Sequence, residues 1–135
     1  MSPENKDMTN ISKKKKITGC QERSECPITN TLDLIGDKWT LLVVRDMMFL
    51  KKKSFNEFLE SPESIATNIL TDRLKRLEEN GIVEKRPYKK NIARYEYTLT
   101  RRGEGLRPVL IELIQWGNVH IEGTFVPSKK LLRIK

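Results

Sequence analysis

A single histidine, His120, and two cysteines, Cys20 and Cys26, are all that this sequence offers for imidazole or thiol chemistry. The cysteines lie six positions apart, which is neither a zinc-ligand spacing nor a C-x-x-C redox pair. In a reducing compartment the pair does not imply a structural disulfide. No P-loop, nucleophile elbow or H-E-x-x-H is present, so neither an enzyme nor a bound metal or cofactor is expected. Aromatic residues make up only 7% of the chain, too few for a platform that stacks unpaired bases. No stretch approaches the ~20 apolar residues needed to cross a bilayer. The opening residues "MSPENKDMTNISKKKK" lack the apolar segment of a secretory signal, so a cytoplasmic protein without membrane association is expected.

Positive charge, by contrast, is in excess. Lys and Arg number 26 against 18 Asp and Glu, a formal net charge of +8. Such an excess steers anionic partners towards a protein without dictating its fold. Nucleic acid comes ahead of an anionic membrane surface, because no basic amphipathic helix with bulky aromatics appears. The 135 residues suffice for one domain with a modest core. An apolar fraction of 37% is low for a packed globule and suggests disordered ends or helices with wide polar faces.

The chain divides into a flexible basic arm over 1–25, a folded domain over 26–121 and a tail over 122–135. Pro27 fits the first position of a helix capped by Cys26, in which Ile28, Leu32 and Ile35 recur at helical spacing before Gly36 stops it. Asp37 caps a second helix, whose Trp39, Leu42, Val43, Met47 and Leu50 form one broad apolar face and the spine of the core. Ser54 and Glu57 have the spacing of a capping box ahead of a short helix bearing Phe55, Phe58 and Leu59. After the helix-breaking "SPES" a longer helix spans 65–80, with Leu70, Leu74 and Leu77 facing inward and Gly81 as its stop. The period then changes to that of strands. "IVEKRPY" and "RYEYTLT" form a hairpin around "KKNIA", with Pro87 at an edge position or the end of the paired region. Thr100 caps a last helix, in which Leu106, Leu110, Leu113 and Gly117 form a stripe beside Val109 and Trp116. Pro108 should kink that helix or loosen its first turn.

The expected fold is therefore mainly α with a small β-hairpin, a winged helix-turn-helix domain. A short capped helix, a turn of about four residues and a longer helix form the helix-turn-helix, and its second helix suits a major groove. Turned away from the leucine stripe are Thr67, Asn68, Thr71, Asp72 and Lys75. Asn can pair in bidentate fashion with adenine and the Thr methyl can meet thymine, whereas Lys75 and the nearby Arg73 suit phosphates. Asp72 fits a local structural role as well as it fits DNA. In the wing, residues 84–94, Arg86, Lys89, Lys90 and Arg94 cluster with Lys85 against the single acid Glu84, and Asn91 sits at the expected tip. This wing suits the flanking backbone or the minor groove. The expected partner is double-stranded DNA; a winged-helix module for RNA or protein is the rival.

These residues resemble the HxlR-type winged-helix transcriptional regulators, relatives of the MarR group. The resemblance is carried by Cys26-Pro27, "LIGDKWT" at 34–40, "SFNEF" at 54–58, "IATNILTDRLKRLEENGIV" at 65–83, "YEYTLTRRG" at 95–103 and "WG" at 116–117. Two positions depart from the family pattern: Asp37, where glycine is more frequent, and Ala66, where a serine often opens the recognition helix. The resemblance implies a homodimer formed through the first and last helices, which accords with the apolar stripe around Trp116; folding of that helix onto its own core is the alternative. Cys26 matches the cysteine that some members use to sense oxidants or electrophiles, and a helix N-terminus favours thiolate. Nearby Arg23 should strengthen that effect and Glu25 oppose it. Two readings of Cys26 stand at this point, a redox or electrophile sensor and a buried small residue. A small-molecule effector is the other form of control to weigh. His120 is expected to be a partly buried helix-end residue.

Overall fold

The computed structural model describes residues 23–89 and 91–125. Most of the proposed basic arm, Cys20, Lys90 and the tail beyond 125 lie outside the described residues. Six helices and a hairpin are found among them in the expected order, except that two helices follow the hairpin where one was expected. Helix α1 (Pro27–Ile35) has Cys26 as its cap residue and Pro27 at its first position, where a missing N–H costs nothing. Its Leu34 and Ile35 are buried, but Ile28 and Leu32 are 70% and 55% exposed, so its apolar stripe is only partly used by this chain.

Helix α2 (Thr40–Met48) begins two residues later than a cap at Asp37 would suggest. Asp37 still works as a cap, because its carboxylate accepts from the N–H groups of Trp39 and Thr40 at 2.9 and 3.0 Å. Val43, Val44, Met47 and Met48 are buried, with Trp39 and Leu42 half-buried, and this helix is indeed the spine of the core. Leu50 departs from expectation: it lies past the helix end and is exposed.

Inside that apolar helix sits a carboxylate, Asp46, only 2% exposed. A buried charge is costly unless partnered. Arg45 pairs with it at 2.8 Å, the Ser61 hydroxyl donates to it, and Lys52 Nζ lies 4.0 Å away. Arg45 also holds Glu63 through two bonds of 2.8 and 2.9 Å. Ser61 and Glu63 belong to the turn between the helices of the helix-turn-helix, so Arg45 and Asp46 moor that turn to the core.

Helix α3 (Phe55–Leu59) opens on the capping box of Ser54 and Glu57, with both reciprocal bonds formed. Helix α4 (Thr67–Glu79) starts from Ala66, whose side chain supplies no cap. It buries Leu70, Leu74 and Leu77 and ends at Gly81, whose φ of 75° only glycine adopts cheaply. There Ile82 N–H returns to Leu77 O at 2.9 Å and Gly81 N–H to Glu78 O at 3.1 Å, the paired bonds of a Schellman stop.

Strands β1 (Val83–Tyr88) and β2 (Asn91–Leu99) pair antiparallel from Val83↔Leu99 to Pro87↔Tyr95, with an irregularity before Tyr88↔Asn91. Pro87 thus lies within the paired region rather than ending it. The Tyr97 N–H donates to Lys53 O at 2.8 Å, which stitches the loop before α3 onto the wing. The ring of Tyr97 meets Phe58 edge-on, with centroids 6.3 Å apart. The last helical stretch is broken rather than kinked. Thr100 caps a single turn, α5 (Arg101–Glu104), and Pro108 falls in the first turn of α6 (Arg107–His120), where the ring is tolerated. Gly103 is obligatory for a packing reason: a Cβ there would lie 2.3 Å from the Ile82 carbonyl oxygen.

Candidate nucleic-acid interface

The leucine stripe of α4 fixes what the helix shows to solvent. With Leu70, Leu74 and Leu77 buried, Thr67, Asn68, Thr71, Asp72 and Lys75 are all exposed along the opposite side. Thr71 donates its hydroxyl to Thr67 O at 2.9 Å, a bond within the helix. Arg73 is placed differently from these neighbours. It is half-buried, its Nε donates to Asp37 at 3.0 Å, and its Nη1 donates to Asp72 at 2.6 Å.

Asp37 sits at the centre of this cluster. Burial opposes its charge, but hydrogen bonds from the Thr40 hydroxyl, the Trp39 N–H, Arg73 and the Thr40 N–H outweigh that penalty. They hold its carboxyl down at about 2. A carboxyl whose folded-state pKa lies below its unfolded value adds stability above the unfolded value, near 4, and loses it as pH falls towards the folded one. Arg73 stays charged throughout. Asp37→Asn is therefore expected to cost about 2 kcal/mol at pH 7, by conversion of that shift. The gap between variant and wild type should close as pH falls from about 4 to about 2. Urea titrations across that range check this, and a gap that persists undiminished at pH 2 contradicts it.

The wing carries its charges on aromatic rings. Lys89 Nζ and the Arg94 guanidinium each lie 5.4 Å from the centre of the Tyr88 ring, and Lys85 lies 4.3 Å from that of Tyr95. Such cation–π pairs pre-order long side chains that otherwise sample many rotamers. Arg86 pairs with Glu84 at 3.0 Å, both being well exposed. Lys89 makes the turn with φ 49°. Asn91 is not at the tip: it opens β2 opposite Tyr88, so the turn begins at Lys89. Reading the sequence by strand alternation missed Tyr88 as a support for two cations, because that role depends on the cross-strand register. It also missed Arg45 and Asp46, although a charged pair inside "VVRDMM" was a visible signal.

Beyond the reading face, α6 leaves a row of apolar side chains uncovered. Leu113 is 52% and Trp116 61% exposed, with Val109 and Val119 exposed beside them. His120 is exposed rather than partly buried, and its ring lies 4.6 Å from that of Trp116. At the start of α1, Cys26 is a free and exposed thiol, which removes the reading of it as a buried small residue. The backbone N–H and hydroxyl of Thr29, then the N–H of Ile28, lower its pKa. Arg23 was expected to add to that pull; instead it pairs with Asp33 at 2.8 Å. The cavity between α2 and the helix-turn-helix turn, lined by residues that include Trp39, Asp46, Phe58 and Ser61, measures about 10 Å³, room for about one water. No helix among the described residues is long and apolar enough to cross a membrane.

A helix-turn-helix moored by Arg45 and the buried Asp46, an outward face of amide, hydroxyl and ammonium groups, and a basic hairpin define a winged-helix DNA-binding transcriptional regulator. Comparison with known proteins gives the family. Residues 34–125 match the model of the HxlR-like helix-turn-helix, and the chain belongs to that family. The HTH-type transcriptional regulator YybR of Bacillus subtilis (strain 168) is 38% identical over 107 residues, spanning 79% of this chain and 83% of YybR. Among solved structures, PA1607 superposes with a TM-score of 0.70 at 36% identity, covering 78% of this chain and 75% of that one. The redox regulator HypR in its oxidized form superposes with a TM-score of 0.64 at 37% identity, covering 72% and 99%.

Proposed function

We propose that this protein acts in the cytoplasm as a homodimer that recognises a two-fold symmetric DNA site. Helix α4 enters the major groove and wing 84–94 lies on the flanking backbone or in the minor groove. The observation that carries this reading is the leucine stripe, which turns Thr67, Asn68, Thr71 and Lys75 outward on a helix followed at once by a basic hairpin. Asn68 is the base reader, supported by Thr67 and Thr71. Lys75 and the wing residues Arg86, Lys89, Lys90, Asn91 and Arg94 hold phosphate or sugar. The uncovered apolar residues of α1 and α6 support the dimer, since a two-fold axis through them buries each side chain twice.

Titration against a duplex enriched from a random-sequence pool tests this. Lys89→Ala with Lys90→Ala should weaken binding to every duplex and flatten the slope of log affinity against log salt by about 1.8, two contacts at ~0.9 each. Asn68→Ala should instead reduce the preference between sites by about 10- to 100-fold, the worth of one bidentate base contact. Equal weakening on all sequences would remove Asn68 as a base reader.

Cys26 supplies the signal input in this reading. Its exposure and lowered pKa support a reactive thiolate, and the similarity to a redox regulator supports control by oxidants or electrophiles. Diamide or a quinone should change the affinity of the wild type for its duplex while leaving Cys26→Ser unaffected. An identical response in the two proteins refutes the assignment.

A further inference from the structure

Helix α4 is fastened to the rest of the domain by two arginines spaced three residues apart. Arg76 Nη2 donates to the backbone carbonyl of Asp33 at 2.5 Å. That carbonyl is in the last turn of α1, where carbonyls lack intrahelical partners and the helix end is negative. Arg76 therefore caps α1 from a different helix. Arg73 reaches Asp37, two residues beyond the end of α1, and Asp37 is itself fixed to the first turn of α2 by the N–H groups of Trp39 and Thr40. Two guanidinium groups on one face of α4 thus tie it to the end of α1 and, through Asp37, to the start of α2.

Arg73 faces two carboxylates, Asp37 and Asp72, and its side chain is only 22% exposed. Both carboxylates compete with a phosphate for its charge, and its Nε and Nη1 are already engaged. Lys75, two residues on, is exposed. Position matters here because Thr67 lies six residues ahead of Arg73, about 9 Å along the axis at 1.5 Å per residue. A tilt of about 10° around that point displaces the reading end by about 1.6 Å, well beyond the ~0.5 Å within which a binding constellation tolerates error.

We infer that Arg73 and Asp37 are positioning residues for DNA recognition: together with Arg76 on the Asp33 carbonyl they latch the reading helix to the α1–α2 junction, and Arg73 is not a phosphate contact. The inference rests on the assignment of α4 as the DNA-reading helix. It gives α1, which also carries Cys26 and the uncovered Ile28 and Leu32, a direct mechanical connection to Asn68.

The test compares wild type, Asp37→Asn, Arg73→Gln, the double variant and Asp37→Glu, all as the full chain. Probes are the duplex enriched by the wild type from a random pool and a bulk random duplex. Asn at 37 keeps an oxygen for the Trp39 and Thr40 N–H groups and removes the charge, so the fold is retained; circular dichroism verifies this. Either single variant should lose about tenfold in affinity for the enriched duplex, a coupling typical of contacting residues. Binding to the bulk duplex and the salt slope should stay unchanged, the double variant should be no worse than either single one, and Asp37→Glu should recover part of the loss. The latch is overturned if Arg73→Gln flattens the salt slope by about 0.9 while Asp37→Asn tightens binding, because Arg73 is then a phosphate contact for which Asp37 competes. It is also overturned if Asp37→Asn binds the enriched duplex like wild type, which leaves the DNA-reading assignment standing. Failure of the wild type to enrich any duplex removes both.

Discussion

Leu113→Asp combined with Trp116→Asp is expected to yield a folded monomer whose affinity for a two-fold symmetric duplex falls by about 10²-fold or more. Both side chains lie on the outer face of α6 and are more than half exposed, so neither supports the core of its own subunit. Large apolar residues gathered on one surface mark an interaction site. Full burial of such a side chain contributes about 1.5–3 kcal/mol, and a two-fold axis counts each one twice. Four buried carboxylates reverse that balance. Dissociation then removes the linkage between the two reading helices, and the second half-site no longer gains from a high effective concentration, an advantage of about 10²–10⁴. Sedimentation and a binding titration check the two steps separately. A variant that stays dimeric, or a monomer that binds as tightly as wild type, contradicts the arrangement.

Phe58→Ala is expected to cost about 3–5 kcal/mol, the range for removing a buried phenylalanine ring. Phe58 is 1% exposed, it comes from the five-residue helix α3, and its ring meets Tyr97 of the wing. Helix α3 has little stability of its own; its capping box contributes about 1 kcal/mol, and burial of Phe58 contributes more. Domains of this kind have about 5–15 kcal/mol in all, so the variant approaches the unfolding threshold. Its Tm should fall by about 10–30 °C. Urea titration with an unchanged m-value verifies the mechanism; a loss below about 1 kcal/mol would mean that the site collapses around the missing ring. Phe55→Ala, at a half-buried position on the same helix, should cost much less.

Much of this was legible in the sequence because it depends on neighbours along the chain. The capping box needs only the Ser54–Glu57 spacing, and the stop of α4 needs only Gly81. The outward set of α4 follows from the leucine spacing, since a helix with one buried stripe has one free face. Where the reading differed from the structure, distant residues intervened. Leu50 fits the apolar period but lies past the helix end, and the last helix, expected to be kinked or loosened at Pro108, is divided at Gly105 and Leu106 with Pro108 in the first turn of α6. Arg23 sits near Cys26 in the chain yet turns to Asp33. The turn of the wing comes before Asn91 rather than at it, because Tyr88 pairs with Asn91 after a register irregularity.

By itself, then, the sequence determined the order of elements, the capping box of α3, the glycine stop of α4 and the polarity of the helix faces, because capping, turn formation and amphipathic period act within a few residues. Only the tertiary structure decided which charges are free. Lys75 and Arg73 are two positions apart on one helix and look equivalent on paper. One points to solvent and the other is held between two carboxylates, one of them thirty-six residues earlier in the chain. A pairing over that distance has no local period to announce it, since it arises only when α1, α2 and α4 pack and bring their ends together.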